Sequence, residues 1–262
     1  VLRDYHIVMI GAGNLATQLA KAFYNKGFCV DQVYSRTLEA AKGLATQVRA
    51  SHTTQWDQID SGKDLYIVAL SDEALMENLP DIIGLRTDSL VVHTAGSVPM
   101  EIFESHAKRY GVFYPMQTFS KARDVEFDNI PLFIEANSEA DKRTLLDIAS
   151  VLSKKVHQAD SEQRKKLHLA AVFSCNFVNH MYSLSAEILE RYNLPFDVML
   201  SLIDETTRKI HEVEPHAAQT GPAIRNDQDV MNRHLSMLAA YPDVQEVYRL
   251  LSKNISKHKI DK

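Results

Sequence analysis

From the N-terminus, apolar residues first gather in an unbroken run, Ile7 to Ile10, that stops at Gly11-Ala12-Gly13; from Asn14 they recur at helical spacing, with Leu15, Leu19, Ala22 and Phe23 on one face. The pattern predicts a strand, a tight turn and a helix. It then repeats. Gly27 is the expected end of the first helix, Cys29 to Ser35 reads as a second strand, LEAAKGLATQ as a helix, and Val48 to Ser51 as a short strand. Asp64 to Leu70, Ser89 to Gly96 and Gly111 to Pro115 supply further apolar strands, with helical stretches EALMENL and MEIFESHAKRY between them. Pro131 to Ala136 adds a strand, Ser138 and Asp141 open a helix running to about Lys154, and VHQA is placed to close the sheet. Unbroken apolar strands alternating with helices predict a doubly wound, mostly parallel sheet covered on both faces.

The pattern changes at Ser161. Residues 161–194 contain no proline or glycine and read as one long helix, and the remainder of the chain is helical too, punctuated by Pro195, Pro215, Gly221, Pro222 and Pro242. The expected division is therefore an α/β Rossmann domain over residues 1–159 and an all-helical domain over 160–262, which suits a chain of 262 residues.

The glycine turn carries the first chemistry. Gly11 permits the reversal, Gly13 lets the backbone approach a bound group, and Ala16 fills the third small position of a G-x-G-x-x-A motif, with Ala12, Asn14 and Leu15 completing the turn at a helix N-terminus suited to a phosphate. The end of the second strand selects the dinucleotide. Ser35-Arg36-Thr37 places two hydroxyls around a guanidinium, which suits the 2′-phosphate of NADP, whereas Asp31 lies at the start of that strand, on the wrong edge for a ribose. The missing carboxylate at the strand end argues against flavoproteins and S-adenosylmethionine enzymes. No tyrosine is followed four residues later by lysine, as short-chain dehydrogenases require. Leu70-Ser71-Asp72 is expected to meet the middle of the cofactor, and Thr94, Gly96 and Ser97, after the next strand, to meet cofactor or substrate.

The segments GAGNLA, YSRT, VALSDEAL, HTAGS, FYPMQTFS, PLFIEA, LHLAAVFSCNFVNHMY and TGPAIRND, in that order, resemble the Rossmann-like NADP oxidoreductases related to pyrroline-5-carboxylate reductase. The resemblance covers nearly the whole chain. It implies an N-terminal dinucleotide domain and an all-helical C-terminal domain that commonly mediates dimerisation. The architecture is more distantly similar to 3-hydroxyacid dehydrogenases, whose interdomain helix carries a lysine four residues before an asparagine; here Val172 and Cys175 stand before Asn176 and Asn179, so that lysine is missing.

Candidate catalytic groups lie along the long helix, where His168, Asn176, Asn179, His180, Ser183 and Glu187 are expected to share one face. Asn176 and Asn179 suit the positioning of a carbonyl or imine, His180 the donation of a proton, and Ser97 and His93 are their expected counterparts across a cleft, with Tyr114 to Thr118 lining it. A hydrogen-bonded interface explains the polar face equally well, and His93 also reads as a core histidine. Arg225 suits a substrate carboxylate or a structural ion pair. In HEVEPH, Pro215 breaks the spacing a metal site would need, so no metal is expected.

The net charge of −5 removes the bulk electrostatic case for nucleic acid. No apolar run reaches membrane-spanning length, VLRDYH lacks the pattern of a leader, and Cys29 and Cys175 match no metal or redox spacing, so a cytoplasmic protein is expected. The sequence thus predicts an NADP-dependent reductase of a small C=N or C=O substrate, with one alternative, a catalytically silent NADP-binding sensor. A homodimer through the helical domain is expected in either case.

Overall fold

The computed structural model describes residues 4–84 and 88–257. The first residues of VLRDYH, which bear on the expectation of no leader, lie outside them. Eight strands form one sheet: β1 (His6–Ile10), β2 (Cys29–Tyr34), β3 (Ser51–Thr53), β4 (Leu65–Val68), β5 (Leu90–His93), β6 (Tyr110–Pro115), β7 (Leu132–Ala136) and β8 (Val156–Gln158). Their order is β3-β2-β1-β4-β5-β6-β7-β8, parallel throughout except for the antiparallel β6–β7 pair. The chain winds outward from β1 in both directions, so the topological switch lies between β1 and β4, beside the glycine turn. That is where open α/β sheets bind their ligands.

Helices α1 (Asn14–Asn25), α2 (Leu38–Val48), α3 (Asp72–Glu77), α4 (Leu79–Gly84) and α5 (Glu139–Leu152) connect the strands. Burial of β1, β4 and β5 on both faces explains their unbroken apolar character: Ile7, Met9, Leu65, Ile67 and Val92 pack with α1 and α5, while Val8, Ile10, Tyr66 and Val68 pack with Leu75 and Phe103 on the other side. The Ser138 hydroxyl accepts from the Asp141 N–H at 3.1 Å and caps α5, as its spacing predicts.

Three elements differ from expectation. The third strand starts at Ser51, because α2 runs on through Val48, whose side chain is buried with Ala41, Leu44 and Ala45 on that helix's inner face. MEIFESHAKRY forms only a 3₁₀ turn, Met100–Phe103, that drives Phe103 into the core before β6 begins at Tyr110. The long helix divides into α6 (Ser161–Ala171), a π-helical stretch Val172–Phe177 and α7 (Val178–Arg191). The wider π turns break the 3.6-residue register on which the expected shared face of His168, Asn176, Asn179, His180, Ser183 and Glu187 rests.

The chain forms two compact units, Val1–Asn176 and Phe177–Lys262. The division falls later than residue 160 because Ser161 and Arg164 fasten α6 to β7 and to the segment after β5. The second unit holds α7, α8 (Leu200–Lys209), α9 (Pro215–Ala218), α10 (Pro222–Arg225), α11 (Gln228–Met237) and α12 (Pro242–Lys257). Within it the Arg191 guanidinium lies 3.4 Å over the Tyr241 ring, and His234 Nδ1 is 2.9 Å from the Tyr248 hydroxyl. Among the described residues no helix is long and apolar enough to cross a membrane.

Candidate functional site

The turn after β1 has the geometry its glycines predict. Gly11 has φ +118°, and a Cβ there would meet the Ala69 carbonyl oxygen at 2.3 Å; its N–H donates to the Tyr34 carbonyl at 2.8 Å, fixing the turn between the ends of β2 and β4. Gly13 is the N-cap of α1 and is exposed, with open space where a Cβ would stand. Ala12 and Ala16 are buried, while Asn14 and Leu15 begin the helix. The first turn of α1 has no acidic residue and no side-chain cap, so its N–H groups face an open approach.

At the end of β2, Arg36 and Thr37 are exposed and Ser35 is half-buried. Thr37 is the N-cap of α2, yet its side chain makes no capping bond. Hydroxyls and a guanidinium are thus presented together at the strand end expected for the adenosine ribose. Asp31 is engaged at the opposite edge, where Lys63 Nζ approaches at 2.7 Å and His6 Nδ1 at 2.8 Å. Burial raises its pKa, but Lys63 and His6 outweigh that and hold the carboxyl below its ordinary value.

A loop from β6 closes on the same turn. Gln18, buried on α1, donates from Nε2 to the carbonyls of Ser120 (2.8 Å) and Arg123 (3.0 Å), and Asn14 Oδ1 accepts from the Lys121 N–H at 3.3 Å. The FYPMQTFS segment is therefore pinned beside the α1 N-terminus. Sequence reasoning missed Gln18, although a buried glutamine on an otherwise apolar helix face is a usable signal.

The carboxyl ends of β5 and β6 carry a second polar group. Its anchor is Arg164 on α6, a side chain with no exposed surface. Arg164 donates from Nε to the Ala95 carbonyl (3.2 Å) and from Nη2 to the Val98 carbonyl (2.5 Å), and Nη1 pairs with Glu135 of β7. Glu135 also accepts from the N–H (3.0 Å) and hydroxyl (2.9 Å) of Ser161. A buried ion pair with its remaining valences filled holds the segment 95–98 in one shape and ties α6 to the sheet. Neither Arg164 nor Glu135 stands out in the sequence, since an arginine in the first turn of a helix and a glutamate near the end of a strand ordinarily face water.

His93 belongs to the core. It is completely buried, its Nδ1 accepts from the Ala95 N–H at 3.1 Å, and among the described residues Nε2 makes no well-formed hydrogen bond. Burial first, and the Arg164 guanidinium second, push its pKa down to about 3 against a weaker opposing effect of the Pro99 backbone. A histidine held neutral and enclosed in this way does not reach a substrate as a proton donor, which corrects the expected role.

The accessible groups lie just beyond it. Gly96 packs so tightly that a Cβ would stand 2.6 Å from His168 Nδ1 and 2.9 Å from Tyr114 Cζ. His168 Nδ1 in turn lies 3.1 Å from the Tyr114 hydroxyl. Thr94 is buried, whereas Ser97 is half-buried and bonds the Asp72 carboxylate, joining the loops after β4 and β5; Ser71 caps α3 by accepting from the Ala74 N–H, and Leu70 lies half-buried at the mouth of the turn. The structure thus brings Gly11, Leu70, Asp72, Gly96 and Ser97 to one sheet edge. Asn176 is exposed at the end of the first unit, and Asn179 and His180 are exposed on α7, where the Asn179 carbonyl accepts from Ser183.

The comparisons with known proteins agree with this geometry. Residues 1–76 match the model of shikimate/quinate 5-dehydrogenases, and residues 130–255 match a domain of unknown function, DUF2520. A crystal structure of a "putative NADP oxidoreductase" from Bacteroides fragilis shares 58% identity, covers 98% of this chain and 100% of its own, and superposes with a TM-score of 0.95. The chain belongs to this family of Rossmann-like NADP oxidoreductases. Other solved structures share the family's fold at lower identity: a Thermotoga maritima protein (22% identity, 94% of this chain and 99% of that one, TM-score 0.72) and an imine reductase from Myxococcus stipitatus in complex with NADP+ (14%, 96% and 92%, TM-score 0.64). No curated protein matches the chain. The residues present fit the oxidoreductase cofactor: an open glycine at an uncapped helix N-terminus for the pyrophosphate, and an exposed Ser35-Arg36-Thr37 for a 2′-phosphate.

Proposed function

We propose that this NADP-dependent oxidoreductase reduces a small C=N or C=O substrate at the carboxyl edge of its sheet. The observation that carries the reading is the conjunction of the Gly11–Gly13 turn, closed against Ala69, with the exposed Arg36 at the end of β2. Gly13 and the α1 N–H groups bind the pyrophosphate; Ser35, Arg36 and Thr37 hold the 2′-phosphate that separates NADP from NAD. When bound, the reduced cofactor supplies a hydride. The chain supplies the rest. Leu70, Ser71 and Asp72 border the cofactor's middle, Thr94 and Gly96 shape the floor at the end of β5, and Ser97, held by Asp72, presents a hydroxyl there. Asn176 and Asn179 are the proposed positioning groups for the substrate carbonyl or imine, with His180 as one candidate acid.

Imine reductase and pyrroline-5-carboxylate reductases are among the structures that share this fold, which favours a C=N substrate within that class. The test is oxidation of NADPH by the purified protein across a panel of cyclic imines and 2-oxo acids. Sustained turnover with any of them supports the reading. Tight NADP binding without turnover across the whole panel contradicts it and favours a sensor.

Two properties of the assembly belong to the same proposal. The second unit forms a homodimer: Leu202 and Leu250 are 62% and 67% exposed in the single chain, and among the described residues of that unit the buried apolar ones are Ala223, Met231 and Leu238 alone. Light scattering at micromolar concentration should give twice the chain mass, and a monomer would contradict this. The protein works in the cytoplasm, in keeping with two free, exposed thiols at Cys29 and Cys175.

A further inference from the structure

We infer that His168, backed by the Tyr114 hydroxyl, delivers the proton to the substrate heteroatom in the reduction proposed above, on which this inference rests. Four features of the first unit lead to it. Both side chains stand at the carboxyl edge of the sheet, Tyr114 near the end of β6 and His168 on α6, against the Gly96 backbone at the end of β5. Gly96 is what allows the approach, since a single methyl group there would overlap both rings. Among the described residues the ring is hydrogen-bonded at Nδ1, which meets Tyr114 at 3.1 Å, and the imidazole is half-buried, so Nε2 is the nitrogen assigned to an incoming group. The lysine of the 3-hydroxyacid dehydrogenase pattern is absent, so the acid has to come from elsewhere, and His93, buried and neutral, does not serve.

The hydroxyl makes the arrangement work in both protonation states. Burial raises the Tyr114 pKa, and the nearby Asp72 and Cys175 raise it further while Arg164 opposes them, so the group remains O–H at neutral pH. A neutral hydroxyl accepts from Nδ1–H of the imidazolium, and its rotation lets it donate to Nδ1 when that nitrogen is bare. In the reduction, the substrate carbon gains the hydride, the C=N or C=O π pair moves to the heteroatom, and the heteroatom takes the proton from Nε2–H of the His168 imidazolium. The imidazole that remains is neutral, with its proton on Nδ1 directed at Tyr114, and it regains a proton at Nε2 from water. Histidine is the side chain suited to this exchange near neutral pH. Arg164 takes no part in the transfer; it holds the 95–98 segment on which Gly96 sits.

The experiment has a binding arm and a turnover arm. With histidine-labelled full-length protein, NADP+ should shift the His168 ring resonances, whereas 2′,5′-ADP, which lacks the nicotinamide half, should bind and leave them in place; Tyr114→Phe should change the His168 tautomer signal before any ligand is added. Binding of NADP+ with no change at His168 overturns the inference and leaves the proposed function standing, while failure of NADP+ to bind overturns the proposed function itself. In turnover of 2-methyl-1-pyrroline or, failing that, the best substrate of the panel, His168→Asn should lower kcat about 10²–10⁴-fold with little change in NADPH affinity and should flatten the fall of kcat/KM at high pH. Tyr114→Phe should move that limb with a smaller loss of kcat. Full activity in His168→Asn, or the same loss and flattened profile in His180→Asn instead, assigns the proton elsewhere.

Discussion

Replacing His93 by Asn isolates the energetic consequence of enclosing a neutral imidazole in this sheet. Asparagine keeps an acceptor for the Ala95 N–H but cannot titrate. In the folded chain burial and Arg164 hold the histidine pKa near 3, against about 6.5 when the chain is unfolded. Above pH 6.5 neither state binds the proton and the group has no effect on the pH dependence. Below it the unfolded state takes the proton and the folded state refuses it, so stability falls as the pH falls, down to about pH 3. Between pH 6.5 and 5 the loss is 1.5 pH units at ~1.4 kcal/mol each, about 2 kcal/mol. Trp56, the single tryptophan, packs against Tyr34 with ring centroids 4.1 Å apart and reports the first unit by fluorescence. Urea unfolding followed at Trp56 should therefore show the wild type losing about 2 kcal/mol more than His93→Asn between pH 7 and 5. The carboxylates titrate in both proteins and cancel in the comparison. Equal losses in the two proteins would refute the reasoning, whatever the absolute stability of the variant at pH 7.

Two further substitutions probe the frame around the site. Arg164→Met leaves the largely enclosed Glu135 carboxylate without its counter-charge, with Ser161 alone to bond it, and strips the Ala95 and Val98 carbonyls of their donor, and should cost the first unit ~3–5 kcal/mol in the same assay; Arg164→Lys, lacking the planar fork, should recover only part of it. Asp31→Asn should leave the preference between NADP and NAD unchanged, because Asp31 is occupied by Lys63 and His6 at the far edge of the sheet; a marked gain or loss of NAD binding by calorimetry would contradict that placement.

Much of the first unit was legible in the chain because its signals are local. An apolar strand ending in Gly11-Ala12-Gly13 needs nothing beyond its own residues to specify a turn, and Ser138 three residues before Asp141 caps a helix wherever it stands. The antiparallel β6–β7 pair was not legible, since PLFIEA reads the same in either direction and only the path of the chain decides. The π turns after Ala171 were hidden for a different reason. Val172–Phe177 has no glycine or proline to mark a break, so the periodicity that aligned His168 with Asn176 and Asn179 ran on without warning. The candidate site was legible where neighbouring residues mark a place in the fold, as Ser35-Arg36-Thr37 does at the end of β2. It was not legible where residues distant in sequence meet, as with Arg164 and Glu135, or Tyr114 and His168, since nothing local in either partner records the other.

The central claim is that this chain holds NADP through Arg36, and titration calorimetry of NADP+ and NAD+ against the wild type and Arg36→Ala tests it most directly. A charge-assisted bond to a phosphate contributes about 1.5–3 kcal/mol, so the wild type should bind NADP+ roughly 10–100-fold more tightly than NAD+, and Arg36→Ala should lose most of that difference while binding NAD+ as before. Equal affinity of the wild type for the two dinucleotides, or a preference for NADP+ that survives the loss of Arg36, would contradict the account.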